Sequence, residues 1–362
     1  MTAPTSHPAR MDGTAPAPPL RVHAVSADAH AGVVGRVLRW AIGEVRDLAA
    51  GYHGFFFAPS APHALCVLRI LAGGMMLYSA AVWGLALESF FGPGGYQPAD
   101  LVREHAGGGP SLWHLVPAGL LWPAHVAFLA VLACFTAGLG TRVTGPLAFL
   151  VTTAYSQRVP MATFGLDQLC AFLALYLAVS PCGAVLSADR AIAVWRATRA
   201  GRPVPAVRPS SWATLGTRLI QLHLCVVYTA AGLAKLKGVG WWDGTAVWGA
   251  AANLEYQSGS LLWLADFPAL TALFTHATVV WELTFWALVW RPRLRPYVLL
   301  VGAGMHVGIG LFLGMWTFGL VMCFAYVAFV PPAWVARAIA AARGRLASPA
   351  DPARPAEPAA AA

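Results

Sequence analysis

Five polar side chains in one apolar stretch are the first places in this sequence to look for chemistry. The stretch covers residues 215–247 and is apolar enough for a lipid bilayer, where a charged group costs about 2.5–3.5 kcal/mol. Charged groups kept at that cost usually bind a substrate or transfer protons. On a helix, four of the polar side chains and one glycine would share a stripe about 100° wide. The stripe contains Arg218, Gln221, Tyr228, Gly232 and Lys235, and the fifth side chain, His223, points elsewhere.

The composition is typical of integral membrane proteins. Of the 362 residues, 58% are hydrophobic and only 11% are charged, whereas soluble domains average about 25% charged residues. The net charge of +9 invites a nucleic-acid interpretation, but the positions of the arginines along the chain argue against it. The six cysteines show no metal-binding spacing. We therefore expect an all-α, polytopic membrane protein that binds neither nucleic acid nor a metal.

Apolar periodicity divides the chain into three regions. Residues 1–30 are rich in Ala, Pro and Ser and are predicted to be disordered. Residues 31–335 form the predicted transmembrane domain, and 336–362 form a basic, Ala/Pro-rich cytoplasmic tail. The domain begins with an amphipathic helix over Val33 to Leu48, predicted to lie on the membrane surface. Eight predicted spans follow it, at 64–87, 117–139, 143–158, 166–186, 214–236, 269–290, 296–313 and 316–332.

The basic residues predict how these spans are oriented. With both termini in the cytoplasm, eighteen of the 24 Lys and Arg residues lie in cytoplasmic regions and three lie outside. Because positive charge accumulates on the cytoplasmic side, we expect a multi-pass protein of the cytoplasmic membrane, in contact with the lipid bilayer. The third span is short. It either tilts little or extends past Arg158, with that side chain reaching the headgroups.

This topology predicts a cluster of polar side chains towards the outer face. Depth along each helix, at about 1.5 Å per residue, places one group in the outer leaflet and a second group beneath it. Glycines four residues apart around the deeper histidine allow a close helix–helix contact. The outer group is Lys235, Asp167, Arg158, Tyr228 and His276, and the deeper group is His306 and Glu282.

Each of these residues also has a structural interpretation. Lys235 could extend to the outer headgroups, and Asp167 could cap its helix or pair with Arg158. His306 could be a hydrogen-bonded core histidine. Glu282 could pair with an intramembrane arginine, either Arg218 or Arg69, and these two arginines could instead contact lipid phosphates.

Several motifs, taken in order, resemble the membrane domain of the vitamin K-dependent γ-glutamyl carboxylases. This domain is also known as the horizontally transferred transmembrane (HTTM) domain, and the resemblance covers roughly residues 34–335. The motifs are Arg69-Ile70, Arg158 with Gly165-Leu-Asp167, Ser180-Pro-Cys-Gly183, Ser187-Ala-Asp189-Arg190, Tyr228-Thr-Ala-Ala-Gly232-Leu-Ala-Lys235-Leu236, Trp241-Trp242-Asp243-Gly244-Thr245-Ala246 and Met305-His306.

The resemblance implies a reaction. In the carboxylases, the lysine that matches Lys235 is the proposed base that deprotonates reduced vitamin K. Oxygen then converts the quinol into a strong base that removes a proton from a glutamate γ-carbon, and that carbon captures CO2. The implied cofactor here is reduced vitamin K or menaquinol. The implied catalytic residues are Lys235, Asp167 and His306, and the implied quinone- or substrate-binding residues are Tyr228, Arg158, Gln221, His276, Trp241 and Trp242.

The chain also departs from the family pattern. The carboxylases carry a large lumenal domain that recognises the substrate propeptide, whereas only the tail is predicted after residue 335. The family often has an asparagine near the matching arginine and a histidine near the matching aspartate. Here Val159-Pro160 and Gln168 stand there, which puts that acid–base partner in doubt.

Three functions therefore stay open at the level of sequence. The first is a quinol-dependent membrane enzyme acting on an extracytoplasmic substrate. The second is a non-enzymatic accessory protein for the maturation or export of a secreted peptide. The third is a transporter that uses Arg218, Glu282 and His306, although the sequence shows no internal repeat.

Overall fold

The computed structural model describes residues 33–105 and 109–347. These residues are helical apart from turns, loops and one isolated bridge between Ser60 and Ser210, so the all-α prediction is confirmed for them. Residues 1–30, predicted to be disordered, and the end of the tail lie outside the described residues.

The helices are α1 Val33–Phe57, α2 His63–Gly84, α3 Leu87–Phe91, α4 Ala99–His105, α5 Leu121–Ala137, α6 Thr141–Arg158, α7 Gly165–Ala178, α8 Ala188–Arg199, α9 Ser211–Lys235, α10 Val239–Trp242, α11 Ala246–Ala251, α12 Pro268–Leu288, α13 Arg295–Leu313, α14 Trp316–Ala325 and α15 Pro332–Ala347. Short 3-10 helices cover Leu112–Leu115, Ala118–Leu120, Pro160–Ala162, Leu262–Asp266 and Tyr326–Phe329.

The chain divides into two units, residues 1–52 and 53–362. In the first unit, the described part is α1, whose apolar side chains Val37, Leu38, Ile42 and Val45 are exposed. The helix continues to Phe57, beyond the predicted end near Leu48, and passes through Gly51 and Gly54 without a break. The last turn of α1 belongs to the second unit.

Helix α2 is the central helix of the second unit. It packs against α5, α7, α9 and α14, and Leu65, Leu68, Ala72 and Met76 are almost completely buried in these contacts. Around it, α6 packs on α7, α9 on α12, and α13 on α14. Several ends have clear local causes: α9 begins at its cap residue Ser210, and α5 ends at the left-handed Gly138. The result is a helical bundle in which helices from distant parts of the chain pack side by side.

Within the described residues, four helices are long and apolar enough to cross a membrane: His63–Gly84, Ala118–Ala137, Ser211–Lys235 and Arg295–Leu313. The pair Trp316–Phe329 and Pro332–Ala342 would be a fifth span if a bend of 108° is counted within one span. Several apolar helices are thus consistent with a multi-pass membrane protein. The other predicted spans correspond to α6, α7 and α12.

The structure differs from the predicted spans at two places. The predicted span 166–186 is helical only to Ala178, because the Ser180-Pro-Cys-Gly183 stretch turns the chain. The predicted span 316–332 is interrupted by the 3-10 turn Tyr326–Phe329, after which Pro331 and Pro332 redirect the chain. Apolar composition alone does not reveal either break.

Candidate functional site

The polar stripe of α9 faces the bundle, as the helical periodicity predicts. Gln221, Tyr228 and Gly232 are buried, and Lys235 is the last residue of the helix. His223 lies off the stripe, also as predicted, and its Nδ1 is 3.1 Å from the Tyr176 hydroxyl. Each residue of the stripe contacts a different neighbour, so the stripe forms several separate contacts along α9.

Lys235 forms an ion pair with Glu282 of α12. Its ammonium nitrogen is 2.9 Å from one carboxylate oxygen of Glu282 and 2.8 Å from the other. The glutamate side chain is 7% exposed and the lysine side chain 22%, so the pair is buried on its acidic side and open on its basic side. The indole of Trp241 covers the ammonium, with its ring centre 5.1 Å from Nζ, as in a cation–π contact.

This pairing corrects two of the sequence-based alternatives. Glu282 contacts neither Arg218 nor Arg69, because those arginines lie near the other ends of their helices and bind backbone carbonyls there. Lys235 does not extend freely to lipid headgroups, since Glu282 holds its ammonium.

Gly232 allows the approach between α9 and α12 that the pair requires. A Cβ at this position would lie 2.8 Å from a methyl of Leu283 and 3.3 Å from the Cβ of Glu282. Real Cβ contacts are almost never that short, so a larger residue would push α12 away. The glycine of the stripe therefore sets the distance at which Lys235 and Glu282 meet.

The loop after Lys235 is fastened to α12 by hydrogen bonds. His276 donates from Nε2 to the carbonyl of Trp242 at 3.2 Å, and the hydroxyl of Thr275 donates to the Gly244 carbonyl at 3.0 Å. Trp242 itself is 67% exposed, and its indole N–H donates to the carbonyl of Leu236. His276 thus positions the loop that carries Trp241, and it makes no described contact with Lys235.

Asp243 stabilises this loop through hydrogen bonds to another residue of the same loop. Its carboxylate accepts hydrogen bonds from the hydroxyl of Thr245 at 2.6 Å and from the Thr245 backbone N–H at 3.0 Å. These bonds stabilise the ionised carboxylate and hold the pKa of Asp243 below its ordinary value. The Trp241-Trp242-Asp243-Gly244 motif is therefore a turn with defined internal hydrogen bonds.

A second cluster lies deeper in the bundle. The Tyr228 hydroxyl is 2.8 Å from Nε2 of His306 on α13, and it also hydrogen-bonds to the hydroxyl of Tyr326. All three side chains are buried, and Trp281 and Phe285 of α12 pack against the Tyr228 ring. The other ring nitrogen of His306, Nδ1, has no hydrogen-bond partner within the described part of the chain.

The predicted glycine seam beside His306 is present. A Cβ on Gly302 would lie 2.5 Å from the indole of Trp281 and would also clash with the Tyr326 hydroxyl. A Cβ on Gly310 would lie 2.7 Å from the indole of Trp316. Small residues on α13 therefore let aromatic side chains approach its backbone, as the spacing predicts.

Arg158 and Asp167 do not join the Lys235 cluster. The guanidinium of Arg158 donates to the backbone carbonyls of Gln97 at 2.6 Å and Phe91 at 3.2 Å. Asp167 caps α7, its carboxylate accepting from the N–H of Phe164 at 3.0 Å. The predicted outer cluster was therefore wrong for these residues, because similar depth does not bring helices to the same side of a bundle.

Arg158 also does not reach towards headgroups, since its side chain is only 2% exposed. Of the two alternatives for the third predicted span, the one in which the Arg158 side chain reaches the headgroups was therefore wrong. The carbonyls it binds belong to Phe91, the last residue of α3, and to Gln97 in the connection that follows. Arg158 fastens this connection to the end of α6.

Arg69 and Arg218 have structural roles rather than lipid contacts. Arg69 is fully buried and donates to the carbonyls of Phe135 at 3.1 Å, Thr136 at 3.0 Å and Leu186. It thereby satisfies carbonyls at the C-terminal end of α5 that no helix N–H can reach.

Arg218 lies against the last turn of α1. It donates to the carbonyl of Phe55 at 3.1 Å and to the side-chain oxygen of Gln221 at 2.8 Å. The side-chain amide N–H of Gln221 in turn donates a hydrogen bond to the carbonyl of Ala328 at 2.7 Å. The side-chain amide of Gln221, predicted to bind a quinone or substrate, is thus already hydrogen-bonded to Arg218 and to a backbone carbonyl.

Two of the open cavities in the described residues have linings that contain neither Lys235 nor Glu282. One, of about 510 Å³, lies beside Glu88 and Trp122. The other, of about 800 Å³, lies beside Thr141 and Ser180. Within residues 33–105 and 109–347, no group of three or more His, Cys, Asp or Glu side chains is placed to hold a metal ion.

Sequence reasoning missed Tyr326 and the partner of Glu282. Tyr326 lies in an otherwise apolar run. Because a buried tyrosine hydroxyl usually needs a hydrogen-bond partner, that hydroxyl could have indicated a polar neighbour. The Lys235–Glu282 pair depends on the register between α9 and α12, which no spacing within a single helix reveals.

The site can exchange a proton between an amine and a carboxylate beside an aromatic surface. Arginines and capped acids elsewhere in the bundle are held in fixed contacts, whereas the Lys235–Glu282 pair combines an exposed side with two titratable groups. Compared with known proteins, the chain matches no protein-family model, no curated protein and no solved structure.

Proposed function

We propose that the chain is a protein of the cytoplasmic membrane with an HTTM-type core, eight spans and both termini in the cytoplasm. Four apolar helices support the membrane location, and α6, α7, α12 and α14 supply the other four spans within the same bundle. The excess of arginine in the cytoplasmic connections supports the orientation. The amphipathic α1 then lies on the cytoplasmic surface of the bilayer.

On this core we infer a membrane enzyme that uses a reduced quinone and oxygen to act on an extracytoplasmic substrate, with Lys235 as the base. The observation that supports it most is the ion pair itself: an ammonium contacts both oxygens of a buried carboxylate and remains partly exposed. The exposed part of the lysine leaves it accessible to a hydroxyl group, which a fully enclosed pair would not be.

The pair also explains how a lysine ammonium can become a base. Its proton can pass to a Glu282 oxygen less than 3 Å away, which leaves a neutral amine beside a neutral carboxylic acid. Separated charges are costly in an apolar medium, so the neutral pair is accessible there. The amine can then accept a proton from a hydroxyl brought to its exposed side.

The surroundings of Lys235 fit a reduced quinone, which is a flat aromatic ring carrying hydroxyl groups. Lys235 and Glu282 would hold one hydroxyl, and the indole of Trp241 would face the ring. The exposed Leu233, on the same last turns of α9, would contact the isoprenoid chain. With oxygen, the reduced quinone supplies the strong base that an ordinary side chain cannot provide.

Tyr228 and His306 act at greater depth in this proposal. Their hydrogen bonds to each other and to Tyr326 hold α9, α13 and the 3-10 turn in register beneath Lys235. Asp167 and Arg158 have no place in the chemistry, because the structure gives them capping and carbonyl-binding contacts. The proposal thus keeps Lys235 from the implied catalytic set and adds Glu282.

One observation favours the alternative, an accessory protein for a secreted peptide. Neither of these two cavities is lined by Lys235, so neither offers a quinone a place beside the proposed base. An accessory protein needs no such site. It would co-purify with a small secreted protein, and that binding would be unchanged in Lys235→Met.

The test measures turnover of a reduced naphthoquinone. Purified protein in nanodiscs is supplied with the quinol and oxygen, and the quinone epoxide is followed by mass spectrometry. We expect wild type to form epoxide, and Lys235→Met and Glu282→Gln to lose at least about 100-fold, the range in which positioned acid–base groups contribute.

The matched control is Lys237→Met, which removes the other lysine of the chain two residues away. Its side chain is exposed, so its variant should retain full turnover. Full turnover in Lys235→Met would contradict the proposed role of Lys235. Absence of epoxide in folded wild type with several quinols would favour the accessory function.

A further inference from the structure

The larger cavity, of about 800 Å³, lies at one end of the bundle. It is formed where α6 and α9 begin and α7 ends, with the start of α8 beside it. Lys235 is at the opposite end of α9, about 37 Å away along a helix of 25 residues. The cavity is therefore separate from the site described above, and an inference about it does not depend on the proposed chemistry.

The charged residues in the lining of this cavity are Arg142 and Asp189. Arg142 lines it, is exposed and has no partner within the described part of the chain. The one acid in the lining, Asp189, already accepts from the backbone N–H groups of Gly140 at 2.8 Å and Thr141 at 3.2 Å. The connection 179–210, which borders the cavity, carries five arginines and no acid other than Asp189. An anion is thus the ligand that this charge distribution favours.

The rim of the cavity is apolar. Val143, Val179 and Trp212 line it, and each remains substantially exposed, Trp212 at 60%. Val143 also begins an exposed apolar row along α6 that continues through Leu147 and Leu150 at helical spacing. An indole at such a boundary is typical of the membrane–water interface. A ligand that satisfies both features has an anionic head and an apolar chain.

We propose that this cavity binds an anionic phospholipid. Arg142 contacts the phosphate, and the hydroxyl of Thr141, which also has no partner in the described residues, donates a hydrogen bond to it. One acyl chain lies along the Val143, Leu147 and Leu150 face of α6. A small soluble phosphate would use Arg142 and Thr141 but would leave this apolar row uncovered, so a lipid is the better match.

The experiment measures lipid binding to the whole protein. Delipidated protein in detergent is titrated with phosphatidylglycerol, or with phosphatidylcholine of the same acyl chains, and bound lipid is counted by native mass spectrometry. We expect tighter binding of phosphatidylglycerol in wild type, and a loss of about five-fold in Arg142→Gln, the effect of one interfacial arginine. Leu147→Asn should weaken binding of the same lipid, because it interrupts the acyl-chain row.

Arg208→Gln is the matched control, since Arg208 belongs to the same arginine-rich connection but does not line the cavity. It should change the affinity for phosphatidylglycerol less than two-fold. Equal losses in the Arg142 and Arg208 variants would show diffuse charge attraction and overturn the site. Displacement of the lipid by millimolar glycerol phosphate, with no effect of Leu147→Asn, would also overturn it by identifying a soluble phosphate as the ligand. Because Arg142 is exposed and unpaired in the described residues, its variant should fold normally.

Discussion

Buried positive charges occur in two different settings in this protein. Arg69 and Arg158 are almost fully buried and bind only backbone carbonyls, at the end of α5 and in the connection after α3. Lys235 is less buried and binds a carboxylate, that of Glu282, with an indole above it. Both settings satisfy the charge, but they differ in what the partner can do with a proton.

A backbone carbonyl cannot accept a proton from an arginine, whose guanidinium stays charged in proteins. These arginines therefore hold helix ends and connections in place. A lysine and a glutamate in contact can exchange a proton, and the neutral form of the pair is available in an apolar medium. The difference separates charges that stabilise the fold from the charge suited to chemistry, and it predicts opposite mutational effects.

The largest effect on stability is expected at Arg69. Arg69→Met keeps much of the side-chain volume but removes the donor to three carbonyls, of which, among the described residues, only the Phe135 carbonyl keeps another donor, the N–H of Gly138, and this should cost about 3–5 kcal/mol. The free energy of unfolding in mixed micelles measures it. Arg208→Met is the control, since Arg208 is exposed and has no described partner, and it should change stability by less than about 0.5 kcal/mol. Similar values for the two variants would mean that Arg69 does not hold the end of α5.

The next effect tests the deeper tyrosine–histidine cluster. Gly302→Ala places a methyl against Trp281 and Tyr326 and should destabilise the protein by about 1–3 kcal/mol. Gly304, two residues along the same helix, has open space around it, so Gly304→Ala should be neutral or stabilising by up to about 1 kcal/mol. Thermal unfolding of the two variants side by side gives the contrast. A tolerated Gly302→Ala would show that α13 can move away from Trp281 at little cost.

A smaller and asymmetric effect is expected at the ion pair. Lys235→Met leaves the carboxylate of Glu282 buried without its partner, at a cost of about 1–2 kcal/mol. Glu282→Gln leaves an ammonium that can turn towards its exposed side, at a cost below about 1 kcal/mol. Unfolding free energies of both variants and of the double variant form the test. The reverse asymmetry would mean that Lys235 is more deeply enclosed than Glu282.

The smallest effect is expected at Asp243, which holds the loop but not the bundle. Its lowered pKa means that the contact with Thr245 is complete above the ordinary aspartate pKa of about 3.9 and is lost only as the pH falls through the lowered value. At neutral pH, Asp243→Asn should speed tryptic cleavage after Lys237 by about two- to five-fold without changing global stability. Unchanged cleavage would show that the hydrogen bonds from His276 and Thr275 suffice to order the loop.

The orientation of α9 could be predicted from its sequence because helical periodicity is a local property. Gln221, Tyr228 and Gly232 lie on one face at any packing, and the structure confirms that this face is buried. The glycine seam at Gly302 and Gly310 followed from spacing in the same way. Such features need no information about neighbouring helices.

The partners of the polar groups could not be predicted, because they depend on how the helices are arranged around the bundle. Depth along the membrane normal placed Arg158 and Asp167 beside Lys235, but Arg158 binds backbone carbonyls, and Asp167 caps α7 although α7 packs on α9. One alternative paired Glu282 with an arginine, yet α9 and α12 pack together and bring Lys235 to it. The breaks in two predicted spans were missed because an apolar run that contains Pro or Gly is compatible with a continuous helix and with a turn.

The central claim is that Lys235 and Glu282 form an ion pair at the end of α9 that leaves the lysine side chain partly exposed. The chain has only two lysines, Lys235 and Lys237, so one labelling experiment compares them directly. An amine-specific reagent that reacts only with neutral amines is added near pH 8, and peptide mass spectrometry gives the rate at each lysine. Lys235 should react at least about ten-fold more slowly than Lys237 in wild type, and Glu282→Gln should bring the two rates closer together. Equal rates in wild type, unchanged by Glu282→Gln, would contradict the pair and the function built on it.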